Sequence, residues 1–241
     1  MLIRINKLLS QTGVASLRKA DELIKEGAIS LNGKVLKVPG VMVDTDKDRL
    51  TVNGKDIILD QPRRFLYFAV NKPEGYITTV EDTHQRRTVM ELLPEKRGLF
   101  PVGRLDKDTS GIILVTNDGE LAHRLMHHKY EIPKSYKVKI SGYLSGKDRL
   151  ALESGVDIKD KRPSIVKIIK IERVKRVSII FLEIHEGRKR QIRRTFEALG
   201  YKVNGLQRIN YAGIDVDTKE GSFRQLKIDE IAGLKERVGL K

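Results

Sequence analysis

Apolar residues near the start of the chain recur every three or four positions, which predicts two short helices. The first is expected over residues 4–11 and ends before Gly13. The second is expected to begin after Ser16, a candidate N-cap, and to end before Gly27. The apolar positions that share the inward faces of these helices are Ile5, Leu8, Leu9, Ala20, Leu23 and Ile24. The chain is therefore expected to open with a small helical pair that buries one face of each helix.

After the second helix, apolar and polar residues alternate, and two Asn-Gly pairs interrupt the alternation. These pairs are Asn32-Gly33 and Asn53-Gly54. Because Asn and Gly tolerate the left-handed backbone of a two-residue turn, each pair predicts a β-hairpin. The apolar positions that flank them are Ile29, Leu31, Val35, Leu36, Leu50 and Val52. Helices and hairpins together predict a compact unit over residues 1–60.

A polar, proline-containing stretch at residues 60–64 predicts a linker to a larger domain at 65–241. In that domain, short apolar runs predict strands and helices at irregular intervals. The strands are predicted at 65–70, 112–116, 136–140, 165–171, 177–184 and 223–226, and the helices at 120–128 and 195–199. This order favours an α+β fold with mixed strands over a doubly wound parallel sheet.

The chain is strongly basic, which favours a polyanionic partner. Its 47 lysines and arginines outnumber 32 aspartates and glutamates and leave a net charge of +15, so nucleic acid is the first candidate. No apolar run reaches the roughly 18 residues of a membrane-spanning helix, and residues 1–10 lack the apolar stretch of a signal peptide. The absence of cysteine excludes disulfides, thiol nucleophiles and cysteine-ligated zinc. A cytoplasmic protein with no membrane partner is expected.

Charge is uneven within residues 1–60, because basic residues come first and acidic residues later. The early basic residues are Arg4, Lys7, Arg18, Lys19, Lys25, Lys34 and Lys37, and the later acidic ones are Asp44, Asp46, Asp48, Asp56 and Asp60. One face of the unit is therefore expected to be basic and to suit RNA phosphates. The alternative is an ordinary solvated helix surface.

The first unit also resembles a known module. INKLLSQTGVASLRKADELIKEGAISLNGK, closed by LTVNGK, is similar to the alpha-L RNA-binding fold of certain ribosomal proteins and RNA-modifying enzymes. This resemblance implies that the unit contacts RNA. The residues that it implicates are Arg4, Lys7, Ser16, Arg18, Lys19, Lys25, Asn32 and Lys34.

The stretch GRLDKDTSG, from Gly103 to Gly111, is the most informative in the chain and runs directly into the apolar sequence IILVT. A polar loop bounded by glycines can bring its backbone close to a ligand, while the adjoining strand holds a carboxylate in place. Asp106 is the candidate, and Arg104 and Lys107 would favour its ionised form. The alternative is that an aspartate of this loop merely caps a turn.

GRLDKDTSG resembles the signature of pseudouridine synthases of the RsuA/RluB type, in which the fourth position, here Asp106, is the catalytic aspartate. YFAVNKPEGYITT is similar to the family's KPxG segment, here residues 72–75, although a strand ending in a proline turn also explains it. The resemblance implies an alpha-L module followed by a catalytic domain with a mixed, mainly antiparallel sheet. The motif wording favours the RluB side of the family, and therefore large-subunit rRNA.

Two further segments of this resemblance implicate site residues. KSYKV places Tyr136 where the family has an aromatic side chain that packs against the target base. EGRKRQIRRTFEALG resembles the motif that supplies a cation for the catalytic aspartate, which alignment places at Arg193. The implied catalytic residues are thus Asp106, Tyr136 and Arg193, and the implied substrate-binding residues are Arg104, Arg188, Arg190 and Gln191. Arg104 would fill the space that a flipped-out base leaves.

The reaction implied by the resemblance needs no cofactor. Uracil leaves ribose carbon 1, rotates and rejoins through its carbon 5, without net oxidation, water or an energy source. Asp106 can attack the anomeric carbon, stabilise its developing positive charge or first remove a ribose proton, and the sequence leaves all three open. No phosphate-binding loop or dinucleotide fingerprint is present.

No metal site is predicted. His123 and His127 lie four positions apart on a predicted helix, but Arg124 occupies the place where a zinc protease needs glutamate. The expected partner is ribosomal RNA or a pre-ribosomal particle, bound by a monomer. The main alternative is a non-catalytic rRNA-binding or ribosome-assembly protein. A DNA-binding regulator is a weaker one, because no helix-turn-helix or dimer zipper is evident.

Overall fold

A computed structural model describes residues 2–57, 64–96 and 98–240. The contacts divide the chain into two units, of which the first runs to Leu66 and includes Glu95–Leu99, and the second comprises Tyr67–Pro94 and the chain from Phe100 onward. Residues 60–63 of the predicted linker lie outside the described residues, so the domain bounds 1–60 and 65–241 stay a prediction. Each unit is described by itself.

In its described residues, the first unit contains two helices and six short strands. Its helices are α1 (Ile5–Gln11) and α2 (Leu17–Lys25), and its strands are β1 (Leu2–Arg4), β2 (Ile29–Leu31), β3 (Lys34–Val35), β4 (Met42–Asp44), β5 (Leu50–Val52) and β6 (Lys55–Ile57). β1 pairs with β4, and the remaining strands form a sheet in the order β3-β2-β5-β6. The predicted inward face of the helices is buried in this unit's core. The predicted helical pair is therefore confirmed.

Local signals set the caps and turns of this unit. The Ser16 hydroxyl accepts a hydrogen bond of 3.2 Å from the Lys19 amide and caps α2, as predicted. Asn32 and Gly33 have φ angles of 49° and 79°, and the second Asn-Gly pair has 50° and 74°. Positive φ at both central residues is the signature of a type I′ turn, so both predicted hairpins are confirmed.

The second unit is built on one nine-stranded sheet. Its strands are β7 (Tyr67–Lys72), β8 (Phe100–Val102), β9 (Ser110–Thr116), β10 (Lys134–Ser141), β11 (Lys167–Val174), β12 (Val177–Ile184), β13 (Val203–Tyr211), β14 (Ile214–Asp215) and β15 (Phe223–Gln225). Its helices are α3 (Gly119–Met126), α4 (Gly146–Ser154), α5 (Gln191–Ala198) and α6 (Ile228–Arg237), with 3₁₀ turns at Val89–Leu92 and His128–Tyr130.

The main path through this sheet is β11-β12-β10-β13-β9-β7-β15, with β14 on β13 and β8 on β9. β9 and β13 run parallel, whereas the other pairings described in this sheet are antiparallel. The predicted α+β fold with a mainly antiparallel sheet is confirmed. The parallel contact lies at the start of β9, where the GRLDKDTSG loop ends, and therefore fixes the end of that loop.

Several predicted elements have different bounds in the structure. The helix predicted at 195–199 begins earlier, at Gln191, and the strand predicted at 165–171 covers Lys167–Val174. β13, α4 and α6 were not predicted, because β13 carries the charged Arg208 at an inward position and each of the two helices buries a single residue. None of the helices in the described ranges is long and apolar enough to cross a membrane.

Candidate active site

The backbone around Asp106 is held by the segment that follows β7. The Thr78 hydroxyl donates a 2.9 Å hydrogen bond to the carbonyl of Leu105 and accepts one of 3.2 Å from the amide of the same residue. On the other side, the Gly75 amide donates a 2.8 Å hydrogen bond to the carbonyl of Lys107. Both residues adjacent to Asp106 are therefore fixed by hydrogen bonds to the KPEGYIT segment.

The C-terminal end of the loop meets β13 at the parallel contact, where Gly111 lies opposite Arg208. Gly111 has a φ of 109°, and a Cβ at this position would stand 2.1 Å from the carbonyl oxygen of Arg208. Glycine is required here for two reasons: an added carbon would clash with the Arg208 backbone, and residues other than glycine rarely adopt this positive φ. The last glycine of GRLDKDTSG thus allows β9 and β13 to approach.

The two acidic side chains of the loop have different surroundings. The carboxylate of Asp106 is half-buried, and in the described part of the chain no hydrogen-bond donor or basic group pairs with it. Asp108 instead forms ion pairs with Arg190, at 3.1 Å, and with Arg193, whose Nε lies 3.2 Å from Oδ2. In the described chain Arg193 therefore pairs with Asp108 and not with Asp106, because the loop turns Asp108 toward α5, and a role for Arg193 as the cation of Asp106 stays a prediction.

Arg193 is buried and connects three elements. Its Nε is close enough to Asp108 for an ion pair but forms no hydrogen bond in the described chain. Its Nη2 donates to the Asp108 carbonyl, and its Nη1 donates to the Val203 carbonyl at 3.2 Å. These contacts join α5, the start of β13 and the GRLDKDTSG loop. Arg193 thus fixes the backbone two residues after Asp106, whereas Arg190 is exposed.

Gln191 and Arg188, predicted to bind substrate, are engaged inside the fold. The Gln191 side chain is 3% exposed and donates to Ser164 Oγ at 3.0 Å and to Glu186 at 2.6 Å. Its Oε1 accepts a 3.1 Å hydrogen bond from the Arg188 amide. The Arg188 guanidinium binds the carbonyls of residues 162 and 163 and the Glu186 carboxylate. Both side chains are thus held inside the fold by protein partners, although Nε of Arg188 is buried without a hydrogen-bond partner in the described chain, and their role in substrate binding stays a prediction.

Tyr136 lies on β10 directly opposite Arg208 on β13, so the two side chains share one face of the sheet. Tyr136 is 7% exposed. The Arg208 guanidinium stacks over the Tyr211 ring at 4.5 Å and donates from Nε to the carbonyl of Ile112 at 2.8 Å. Its Nη2 is buried and has no hydrogen-bond partner in the described chain. Sequence reasoning did not identify Arg208, although a charge at an inward position of a strand is a signal.

Burial perturbs two titratable groups on this face. Desolvation raises the pKa of the Tyr211 phenol to about 12. Desolvation and the neighbouring positive charge of Arg208 lower the pKa of the Lys134 ammonium to about 8. The part of this sheet face beside Tyr136 is therefore poorly solvated and positively charged.

Lys72 is a fully buried cation beside the Asp106 loop. Its ammonium donates hydrogen bonds of 2.9 and 2.7 Å to the carbonyls of Pro73 and Tyr76. Desolvation lowers its pKa to about 8, although the carboxylates of Asp106 and Asp108 are among the charges that favour the protonated form. The first residue of the KPxG segment therefore contributes a positive field near the candidate carboxylate.

Arg104 is exposed, and so are the residues of the first unit predicted to bind RNA. Two of those have structural partners. Ser16 caps α2. The side-chain Nδ2 of Asn32 donates to the Asp48 carboxylate at 2.8 Å, and its Oδ1 accepts from the Arg49 backbone amide at 2.8 Å. Lys19 lies 3.2 Å from Glu22 in an exposed ion pair. The remaining predicted RNA contacts, Arg4, Lys7, Arg18, Lys25 and Lys34, are exposed basic side chains.

The histidines near the end of α3 form an aromatic stack. The ring centroids of His123 and His127 are 5.6 Å apart, and those of His127 and His128 are 4.6 Å apart. Across residues 2–57, 64–96 and 98–240, no three histidine or acidic side chains are placed to hold a metal ion.

Residues 66–198 match the RNA pseudouridylate synthase family, and residues 3–50 match the S4 domain. The chain therefore belongs to the RNA pseudouridylate synthase family and carries an N-terminal S4 domain, which confirms both resemblances seen in the sequence.

Similar proteins extend the match to nearly the whole chain. Ribosomal large subunit pseudouridine synthase B of Bacillus subtilis (strain 168) is 41% identical over 96% of this chain and 95% of that protein. An uncharacterized RNA pseudouridine synthase of Aquifex aeolicus (strain VF5) is 38% identical over 100% of this chain and 97% of its own. A crystal structure of a pseudouridylate synthase aligns with a TM-score of 0.68 and 28% identity, covering 96% of this chain and 99% of that chain.

Proposed function

We propose that this chain isomerises a uridine of large-subunit ribosomal RNA to pseudouridine, with Asp106 as the catalytic carboxylate. The assignment rests on the contrast between the two aspartates of the GRLDKDTSG loop. Asp108 is neutralised by two arginines, whereas the half-buried Asp106 carboxylate has no partner in the described chain and sits between two backbone clamps. A preorganised carboxylate without a counter-ion is available to a developing positive charge.

The isomerisation rearranges bonds within the target nucleotide itself. The glycosidic bond between ribose carbon 1 and uracil N1 breaks, a bond from carbon 1 to carbon 5 of the base forms, and the proton of carbon 5 is replaced by one on N1. Asp106 would assist by attacking carbon 1, by stabilising its positive charge or by removing a ribose proton. Atoms and electrons balance within the substrate, so the reaction is expected to need no cofactor.

The target base has to leave its helical stack before Asp106 can reach the ribose, at a cost of a few kcal/mol. In this proposal Tyr136 packs against the flipped base, and the exposed Arg104 occupies the vacated position in the RNA. Arg193 contributes by holding the loop at Asp108. Arg190 also pairs with Asp108, but its side chain is exposed, and in this proposal it contacts the RNA backbone.

The S4 domain is proposed to supply RNA affinity through its exposed basic side chains. Support for large-subunit rRNA as the substrate comes from the Bacillus subtilis relative, a ribosomal large subunit pseudouridine synthase that matches over nearly the full length of both chains. We infer that the protein acts as a cytoplasmic monomer on this RNA or on a pre-ribosomal particle.

Mapping pseudouridines in total rRNA from cells with and without the gene tests this function. The proposal predicts loss of one or a few sites in large-subunit rRNA, restored by the wild-type gene and not by Asp106→Asn. Unchanged large-subunit maps, or a loss confined to small-subunit rRNA, would contradict the proposed substrate. Restoration by Asp106→Asn would remove the aspartate from its assigned role.

A further inference from the structure

Thr78 is placed to control the backbone next to Asp106. It follows the KPEG turn, and its hydroxyl both donates to and accepts from the backbone of Leu105, at 2.9 and 3.2 Å. One side chain thereby satisfies both polar backbone groups of the residue that precedes Asp106. Leu105 is 6% exposed, so water is poorly placed to substitute for these bonds.

The segment that carries Thr78 is itself anchored on its other edge. The Ile77 amide donates to the Arg87 carbonyl at 2.9 Å, and the Val89 amide donates to the Ile77 carbonyl at 2.9 Å. A parallel bridge also joins Ile77 to Thr88, the N-cap of the 3₁₀ turn at Val89–Leu92. Thr78 is therefore mounted on a fixed strand-like segment, which makes its hydroxyl a rigid point for the loop.

We propose that Thr78 is a positioning residue that holds the Asp106 carboxylate in its reactive place through the Leu105 backbone. In this proposal it acts through Leu105 and not on the substrate itself. This inference rests on the proposed function, because it assigns the consequence of the contact to the chemical step of pseudouridine formation. A displacement of about 1 Å at a reacting group can cost roughly a hundredfold in rate, so loss of the clamp should appear in the rate constant of the chemical step.

Thr78→Val is the informative variant, because it keeps the shape of the side chain and removes its hydrogen bonds. We expect the single-turnover rate of pseudouridine formation at saturating enzyme to fall at least tenfold, while the dissociation constant for the RNA stays within twofold of wild type. Thr78→Ser retains the hydroxyl and should keep a rate within about threefold of wild type.

Thr79→Val is the matched control. The hydroxyl of this neighbouring threonine donates to the Glu81 carbonyl at 2.7 Å, within its own turn and away from the Asp106 loop. The same chemical change at Thr79 should therefore leave the single-turnover rate unchanged. Melting temperatures of all variants separate a lost clamp from a general loss of stability, and Thr78→Ala replaces the valine variant if the latter does not fold.

A folded Thr78→Val or Thr78→Ala protein with the wild-type rate would overturn the inference. So would an equal loss for the serine and valine variants, or a rate loss in Thr79→Val that matches that of Thr78→Val. These outcomes differ from failure of the proposed function, in which wild-type protein itself forms no pseudouridine in large-subunit rRNA.

Discussion

Nε of Arg193 lies 3.2 Å from Oδ2 of Asp108, and this contact joins a buried arginine to the second aspartate of the GRLDKDTSG loop. The Arg193 side chain is 8% exposed, whereas the Arg190 side chain, which pairs with the same aspartate at 3.1 Å, is 41% exposed. The two arginines therefore offer a comparison of a buried and a surface interaction with one carboxylate.

Arg193→Ala should lower the free energy of unfolding by about 2–4 kcal/mol, because it leaves the carbonyls of Asp108 and Val203 without their donor. It should also slow pseudouridine formation at least tenfold by loosening the loop. Arg190→Ala, the control, should cost less than about 1 kcal/mol, as exposed pairs do. Urea unfolding and single-turnover assays measure both. Equal effects of the two substitutions would show that burial of Arg193 is unimportant.

Lys72 predicts a dependence of stability on pH. Its pKa is lowered to about 8 in the fold from an ordinary 10.5, so the folded state binds this proton less tightly than the unfolded chain. The protonated lysine therefore costs stability below pH 8, and that cost disappears as the pH rises from about 8 toward 10.5. The free energy of unfolding of wild type relative to Lys72→Met should rise over this window, by up to about 3 kcal/mol.

Urea unfolding of both proteins at a series of pH values measures this difference, since groups common to both proteins cancel. A difference that stays flat between pH 7.5 and about 10, or that falls with pH, would contradict a depressed pKa at Lys72.

Gly111→Ala should lower the free energy of unfolding by more than about 3 kcal/mol, because the added carbon would meet the Arg208 carbonyl at 2.1 Å in a left-handed backbone. Gly119→Ala is the control: nothing lies within 4 Å of its added carbon, and it opens α3, where alanine suits the helix. This variant should be neutral or stabilising by urea unfolding. If the free energy of unfolding of Gly111→Ala were within about 1 kcal/mol of the wild-type value, β9 and β13 could move apart at little cost, which would contradict this prediction.

The S4 domain should set part of the salt dependence of rRNA binding. The double variant Arg18→Gln, Lys25→Gln removes two exposed charges from α2 and its end, and should reduce the slope of log affinity against log salt by about 1.5. Lys47→Gln with Lys55→Gln removes the same charge among the acidic residues of this unit, and should leave the slope nearly unchanged. Filter binding at several salt concentrations measures the slopes, and equal changes would show that only net charge matters.

Local signals predicted much of the fold. The Asn-Gly turns and the Ser16 cap act within a few residues of themselves, so the sequence is sufficient to locate them. α4 and α6 bury one residue each, Leu152 and Leu234, and such helices leave little periodicity to detect. β13 was missed because a charged residue interrupts its alternation at an inward position, where Arg208 stacks on an aromatic ring.

The sequence singled out the GRLDKDTSG loop and the arginines of α5 but did not predict which of their side chains pair. Asp106 and Asp108 are two positions apart, and spacing alone does not say which carboxylate the turn presents to α5. The structural role of Gln191 likewise depends on a partner 27 positions away, Ser164, which no local pattern connects to it. Thr78 lies in a segment with a recognisable motif, but a threonine just after a turn carries no signal until the fold places Leu105 beside it.

In the proposed function Asp106, and not its ion-paired neighbour Asp108, performs the chemistry. Single-turnover pseudouridine formation on large-subunit rRNA by wild type, Asp106→Asn and Asp108→Asn, with RNA affinity measured in parallel, tests it most directly. Asp106→Asn should bind RNA normally and lose at least about a thousandfold in rate, while Asp108→Asn should lose roughly tenfold through its weakened contact with Arg193. An Asp106→Asn rate within tenfold of wild type, or a larger loss for Asp108→Asn, would contradict it.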